Sequence, residues 1–190
     1  MKKMKLNVWI EGAVIAALAM GLSFIPLQSG NASFDLSLGL VPLVLYSYRR
    51  GWKPAMVSGF IWGLLNIVLG SAMKNFISVP QIIFEYPFAF AFGGMGGVVA
   101  AKVRNAMLQN KSSKAIMYII LGSVIAAFSR WFWHFWAGVF IWGAYAKGVN
   151  PYLFSLVANG GSFIANAIYV AVVLSLLCGI SPTLFLPKKK

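Results

Sequence analysis

The chain has 190 residues, of which 60% are hydrophobic and 10% charged, and its mean hydropathy is +0.80. Soluble domains carry roughly 25% charged residues, so this composition excludes a water-covered globule. The formal charge of +13 gathers at the ends of apolar segments rather than on one soluble face, which argues for membrane topology and against a nucleic-acid partner.

At about 20 apolar residues per span, the length holds about six helices and almost no extramembrane domain. Breaks at 26–33, 49–54, 74–80, 104–114 and 147–151 divide the chain into segments at 7–27, 36–49, 54–73, 80–103, 114–146 and 152–180. The first follows Lys2, Lys3 and Lys5 like a signal peptide, but it is long enough to span and has no obvious cleavage site before Ser23. It is read as a retained span. The second is short, and the fifth has room for a span plus an extra turn or two. The expected fold is an all-α polytopic membrane protein with six transmembrane helices, forming one integral-membrane domain over 1–190. No internal repeat is visible.

Thirteen of the sixteen Lys and Arg residues fall on one side of such a bundle: at the N-terminus, at 49–53, at 102–114 and at 188–190. Lys74 and Lys147 fall on the other, and Arg130 lies inside a segment. The positive-inside rule then predicts that both termini are cytoplasmic. Cys178 stands alone, so no disulfide framework is available, and it reads as a small apolar residue.

An ionisable side chain within a span costs a few kcal/mol or more and usually faces a cavity or a partner. The acids are Glu11, Asp35 and Glu85. Glu85, Arg130 and His134 are the natural functional candidates, although a buried Glu–Arg pair could merely fix helix packing. Glu11 sits near the cytoplasmic end of its helix. Asp35 opens the second segment, where a carboxylate suits a helix N-terminus.

In the fifth segment Arg130, His134, Gly138 and Trp142 recur every four residues and share one face. That face offers a cation, an imidazole, a bare patch and an indole. Trp131, Trp133 and Trp136 fall on other sides, as an interfacial belt would place them. The sixth segment carries a polar stripe of Ser155, Asn159, Ser162 and Asn166, which either serves a site or joins helices. Trp62 and Asn66 lie one turn apart in the third segment, and Glu85-Tyr86-Pro87 opens the fourth. Such groups suit a planar heteroaromatic cation, because indoles stack on flat rings and attract positive charge. Small-residue stripes at Ala13/Ala17/Gly21 and Ala89/Gly93/Gly97/Ala101 permit close helix approach, either internally or with a partner.

The Glu11-Gly-Ala-Val-Ile-Ala-Ala-Leu-Ala opening, Asp35-Leu-Ser-Leu-Gly-Leu-Val-Pro, Arg49-Arg-Gly, Phe84-Glu-Tyr-Pro and the Trp-rich stretch around His134 together resemble the YuaJ-type thiamine transporter family. These are the thiamine-specific S-components of energy-coupling-factor (ECF) transporters. The resemblance implies a six-helix S-component of the cell membrane, with no cofactor and one thiamine site near the outer face, closed by the loop between helices 1 and 2. It implies ligand contacts from Glu85, Tyr86, His134, Trp142 and Asn159, with Trp142 stacking on the aminopyrimidine and Gly138 lining the pocket. Arg130 matches a position held by a basic residue, often lysine. The Ala13/Ala17 stripe with Gly21 matches the surface that docks on the transmembrane coupling subunit, which works with two ATPase subunits. Two departures stand out. Phe34 lies where the family can place a tryptophan over the ligand, and Phe154 replaces a tyrosine, with Tyr152 close by.

These residues include no G-x-x-x-x-G-K-[ST] phosphate loop, so the chain is not expected to power uptake by itself. The leading expectation is capture without chemistry: binding of thiamine outside and delivery through an ATPase-driven complex. An S-component for another vitamin, or a small autonomous carrier, is the alternative. An intramembrane enzyme is disfavoured, because three acids and one histidine give no repeated metal-ligand cluster and no evident activated nucleophile.

Overall fold

The structure, a computed structural model, describes residues 6–25, 27, 35–70 and 72–187. Its main helices are α1 (Leu6–Leu22), α2 (Leu40–Arg50), α3 (Trp52–Leu69), α4 (Val79–Leu108), α5 (Ser112–Phe140) and α6 (Pro151–Ile180). Four of these, α3 to α6, are long and apolar enough to cross a membrane, while α1 is a shorter apolar helix. The outward faces are apolar, with Val14, Val68, Phe140, Val157 and Ile168 all exposed. Lipid covers such surfaces at no cost; water does not.

Several boundaries differ from the sequence expectation. Helix α2 begins at Leu40 rather than 36, because residues 35–37 run irregularly and are held by side chains of α6. Gly51 alone joins α2 to α3. Helix α5 ends at Phe140, and the chain turns through a short 3₁₀ helix at Trp142–Tyr145, so Trp142 belongs to a separate turn. Asn150 caps α6, its side chain accepting from the Tyr152 and Leu153 N–H groups ahead of Pro151.

Helix α4 is not uniform. An opening α turn at Val79–Ile83 widens into a π turn at Phe84–Phe88, then becomes α-helix at Ala89–Phe92, 3₁₀ at Gly93–Val99 and α-helix again at Ala100–Leu108. Pro87 has no N–H to donate and cannot continue a regular ladder. The wider turn absorbs it and re-aims Glu85 and Tyr86, as π turns often do at functional positions. Gly63 of α3 makes room for this turn. A Cβ there would stand 2.6 Å from both the Pro87 Cα and the Tyr86 carbonyl oxygen.

Several buried polar groups are paired within the bundle, as a lipid environment favours. The Tyr46 hydroxyl donates to the Val8 carbonyl (2.6 Å), Tyr48 to the Ile119 carbonyl (2.7 Å) and Ser58 to the Gly12 carbonyl (2.7 Å). At the same end, Glu11 accepts from Arg49 (3.3 Å) and doubly from Arg50 (2.7 and 2.6 Å). Arg49 also donates to carbonyls of Thr183, Leu184 and Leu186, tying the chain after α6 to α2. Glu11, which the sequence places near one end of its helix, is the anchor of this arginine cluster.

Ala13, Ala17 and Gly21 are exposed on α1, whereas Gly12, Ala16, Ala19 and Met20 face the bundle. The second small-residue stripe behaves differently. Ala89, Gly93 and Gly97 are buried and serve internal packing, whereas Ala101, the fourth member, is exposed.

Candidate functional site

A cavity of about 860 Å³ opens at the end of the bundle opposite the Glu11–Arg49–Arg50 cluster. Its walls come from the end of α1, residues 35–40, the end of α3, the start of α4, the second half of α5 and the first half of α6. Glu85, Tyr86, Arg130, His134, Gly138, Trp142, Phe154 and Asn159 all line it. Trp62 does not. It is 1% exposed, its indole N–H donates to the Ser23 hydroxyl (3.0 Å), and its ring packs 4.3 Å from that of Phe90. Asn66, one turn later, reaches the wall instead. Phe34 lies outside the described residues.

Glu85 is fixed by two strong hydrogen bonds. Its Oε1 accepts from Trp142 Nε1 at 2.6 Å and its Oε2 from Gln81 Nε2 at 2.6 Å. Gln81 is fully buried and is itself oriented, because its Oε1 accepts from the Ile77 N–H (3.1 Å). The carboxylate thus joins α4 to the turn after α5 and holds the Trp142 indole upright on the cavity wall.

Arg130 does not pair with Glu85. Its Nη2 donates to Asp35 Oδ2 at 3.3 Å, and its guanidinium lies 4.8 Å from the centre of the Phe90 ring. Asp35 therefore does not open α2 as expected; it sits five residues earlier, on the cavity wall, where Arg130 meets it. The backbone around it is stitched to α6. The Asp35 N–H donates to Ser162 Oγ (2.9 Å), Asn166 Nδ2 donates to the Asp35 carbonyl (2.7 Å), and the Ser37 N–H donates to Asn166 Oδ1 (2.9 Å).

Along α6 the polar stripe splits its work. Ser155 donates to the Phe135 carbonyl (2.7 Å), locking α6 to α5, and Asn159 donates to the Ser155 carbonyl and hydroxyl (3.2 Å each). Gly138 allows this contact. A Cβ there would collide with the Ser155 hydroxyl and lie 3.1 Å from Asn159 Nδ2. The bare patch is thus a point of helix contact as well as cavity wall. Tyr152 is exposed, edge-on to Trp136, so it does not restore at the cavity the hydroxyl that Phe154 lacks.

His134 Nε2 and Trp131 Nε1 are buried and have no hydrogen-bond partner among the described residues. Both side chains line the cavity. Trp131, assigned from sequence to an interfacial belt, therefore adds an indole to the wall. Trp133 packs among Phe84, Phe88, Phe92 and Phe132, and Trp136 stacks on Phe140. Lys74, Ser37, Asn66 and Asn166 also line the cavity. The cue for Lys74 was available: it is one of just two basic residues assigned to that end. The whole constitutes an aromatic, polar chamber lined by two acidic and two basic side chains, in which Glu85 and the indoles of Trp131 and Trp142 can face a flat cationic molecule.

Comparison with known proteins places the chain in a family. The family model for the thiamine transporter protein (Thia_YuaJ) matches residues 9–186. The chain is 39% identical to the thiamine transporter ThiT of Lacticaseibacillus paracasei over 186 residues, covering 97% of this chain and 92% of that protein. It is 28% identical to ThiT of Bacillus subtilis, covering 95% and 91%. A solved structure of ThiT from Listeria monocytogenes superposes with a TM-score of 0.90 at 41% identity, covering 96% of this chain and 98% of that one. The family is one of transporters rather than enzymes, and with its several apolar helices the chain is a multi-pass membrane protein. The chain belongs to the thiamine transporter protein (Thia_YuaJ) family.

Proposed function

We propose that the chain is the thiamine-capturing S-component of an ECF-type uptake transporter in the cell membrane. It crosses the membrane six times as a single domain with both termini cytoplasmic, and the cavity faces outward. The thirteen-to-two distribution of basic residues supports that orientation.

One observation carries the ligand assignment: Glu85 and Trp142, hydrogen-bonded at 2.6 Å, present a carboxylate and an indole side by side on a cavity wall shared with His134, Tyr86 and Asn159. The aminopyrimidine of thiamine stacks on Trp142 and hydrogen-bonds to Glu85, and His134 supplies its unpartnered ring nitrogen. Arg130, Gly138 and Phe154 complete the wall, with Phe34 acting from the loop between α1 and α2. Delivery needs partners. The exposed Ala13, Ala17 and Gly21 face of α1 docks on a transmembrane coupling subunit, and two ATPase subunits drive release.

The test is intrinsic tryptophan fluorescence of the detergent-purified chain titrated with thiamine, riboflavin and biotin. Saturable quenching by thiamine alone is the expected result. A response to riboflavin or biotin in its place would reassign the ligand. Reconstitution addresses the mechanism: uptake by the chain alone in liposomes, without ATPases, would make it an autonomous carrier.

A further inference from the structure

At the end of the bundle opposite the cavity, the seam between α4 and α5 holds a second, shallow cavity of about 230 Å³. Lys102, Asn105 and Gln109 line it from α4 and its end, and Lys111, Lys114 and Tyr118 from the linker and the start of α5. Lys102 Nζ lies 5.6 Å from the centre of the Tyr118 ring, which holds one ammonium in place.

These lysines have no carboxylate of their own. The chain has just three acidic side chains, and each is engaged elsewhere: Glu11 with Arg49 and Arg50, Asp35 with Arg130, and Glu85 with Gln81 and Trp142. The arginines at the same end are committed too, Arg49 and Arg50 as described and Arg104 to the carbonyls of Tyr48 (2.6 Å) and Arg49 (3.4 Å). Three lysines and two amide side chains therefore line one pocket to which none of the chain's acidic side chains supplies a counter-charge.

The surroundings identify the class of anion. About one turn deeper along the same helix faces lie Val98 on α4 and Leu121 on α5, each 45% exposed, and Leu108 and Met117 flank the pocket with 60% and 53% exposure. A polar, cationic pocket continuous with exposed apolar side chains on membrane-crossing helices matches a molecule with a phosphate at one end and acyl chains at the other. A headgroup carrying its own ammonium would compete with the lysines, so a net negative charge is favoured. We propose that this seam is a binding site for the phosphodiester of an anionic phospholipid in the leaflet on that side, with Lys102, Lys111 and Lys114 holding the phosphate and Val98 and Leu121 contacting the chains.

The test uses the full chain in detergent with an acyl-labelled phosphatidylglycerol followed by fluorescence anisotropy. Unlabelled phosphatidylglycerol, phosphatidylcholine and inorganic phosphate serve as competitors at about 0.15 M salt, where diffuse charge effects are screened within ~8 Å. Phosphatidylglycerol should compete about tenfold better than phosphatidylcholine, and inorganic phosphate should not displace the probe. The variant K102Q/K111Q/K114Q should bind the probe about tenfold or more weakly, while K188Q/K189Q/K190Q, which loses the same charge, changes it less than about twofold. Equal losses in the two variants, or parity between the lipids, would overturn the site. Displacement by inorganic phosphate at matching concentration would assign it to free phosphate instead. If the triple variant fails to fold, K102Q alone carries the comparison, with an expected loss of about threefold.

Discussion

The indole N–H of Trp142 donates to Oε1 of Glu85 at 2.6 Å, joining a turn that follows α5 to the π turn of α4 across 57 positions of sequence. Both residues line the main cavity. The bond orients the indole face and the carboxylate together, so a ligand meets both already in place, and little ordering remains to oppose binding.

Glu85→Gln and Trp142→Ala should each weaken thiamine binding by about tenfold or more, in line with ~1.4 kcal/mol or more per contact. Trp142→Phe should lie between, keeping an aromatic face but losing the indole's size and the N–H that steadies Glu85. Calorimetric titration is the right measurement, because the tryptophan variants alter the fluorescence reporter. Wild-type affinity in both Glu85→Gln and Trp142→Ala would remove the proposed site.

Gln81 acts through Glu85. Its amide holds the far carboxylate oxygen at 2.6 Å and is itself held by the Ile77 N–H. Gln81→Met keeps the volume and removes the donor, so affinity should fall about three- to tenfold. In a Glu85→Gln background the same change should do much less, since the carboxylate it positions is gone. Additive losses in that double-mutant cycle would show that Gln81 acts independently.

How far the sequence discloses this site follows from the kind of signal each residue carries. Arg130, His134 and Gly138 were legible because polar and small residues at four-residue spacing in an apolar helix share a face. Trp142, expected on the same face, reaches the cavity from the separate turn after α5. Glu85 was legible because an acid in such a segment demands an explanation. The Gln81–Glu85 spacing of four was present too, but nothing marks a lone glutamine as a positioning group. Asp35 was misplaced for a deeper reason: its partners Arg130, Ser162 and Asn166 lie about 95 to 131 positions away, and no local pattern encodes such a pairing. Trp62 and Asn66 share a helix face, and one turn decides that the first meets Ser23 and Phe90 in the core while the second reaches the cavity. The apolar segments were readable from hydropathy, whereas the π turn around Pro87 depends on the close approach of α3 at Gly63, a tertiary fact.

Gly138→Ala tests that kind of close contact at the site itself. The added methyl would strike the Ser155 hydroxyl, which otherwise donates to the Phe135 carbonyl and receives the Asn159 amide. Helices α5 and α6 must separate or Ser155 must rotate, at a cost of about 1–3 kcal/mol. The expected outcome is a lower unfolding temperature together with weaker thiamine binding, because Asn159 moves with Ser155. Removing the hydroxyl as well, in Gly138→Ala/Ser155→Ala, should recover part of both. No recovery would mean that the strain lies elsewhere in the contact.

Asp35 and Arg130 join the backbone ahead of α2 to the centre of α5 at 3.3 Å, with the Arg130 side chain 9% exposed and that of Asp35 37%. The partners are unequal: Arg130 has little water to fall back on, and Asp35 has some. Asp35→Asn should therefore be the more informative change, since it leaves a buried guanidinium facing a neutral amide, at about 1–2 kcal/mol. Arg130→Met removes the buried charge altogether and keeps apolar contact with Phe90, so in the Arg130→Met background Asp35→Asn should cost almost nothing. Thermal unfolding of the four proteins in detergent measures the cycle. If the two losses simply add, the pair contributes no coupling, and residues 35–37 are held by Ser162 and Asn166 alone.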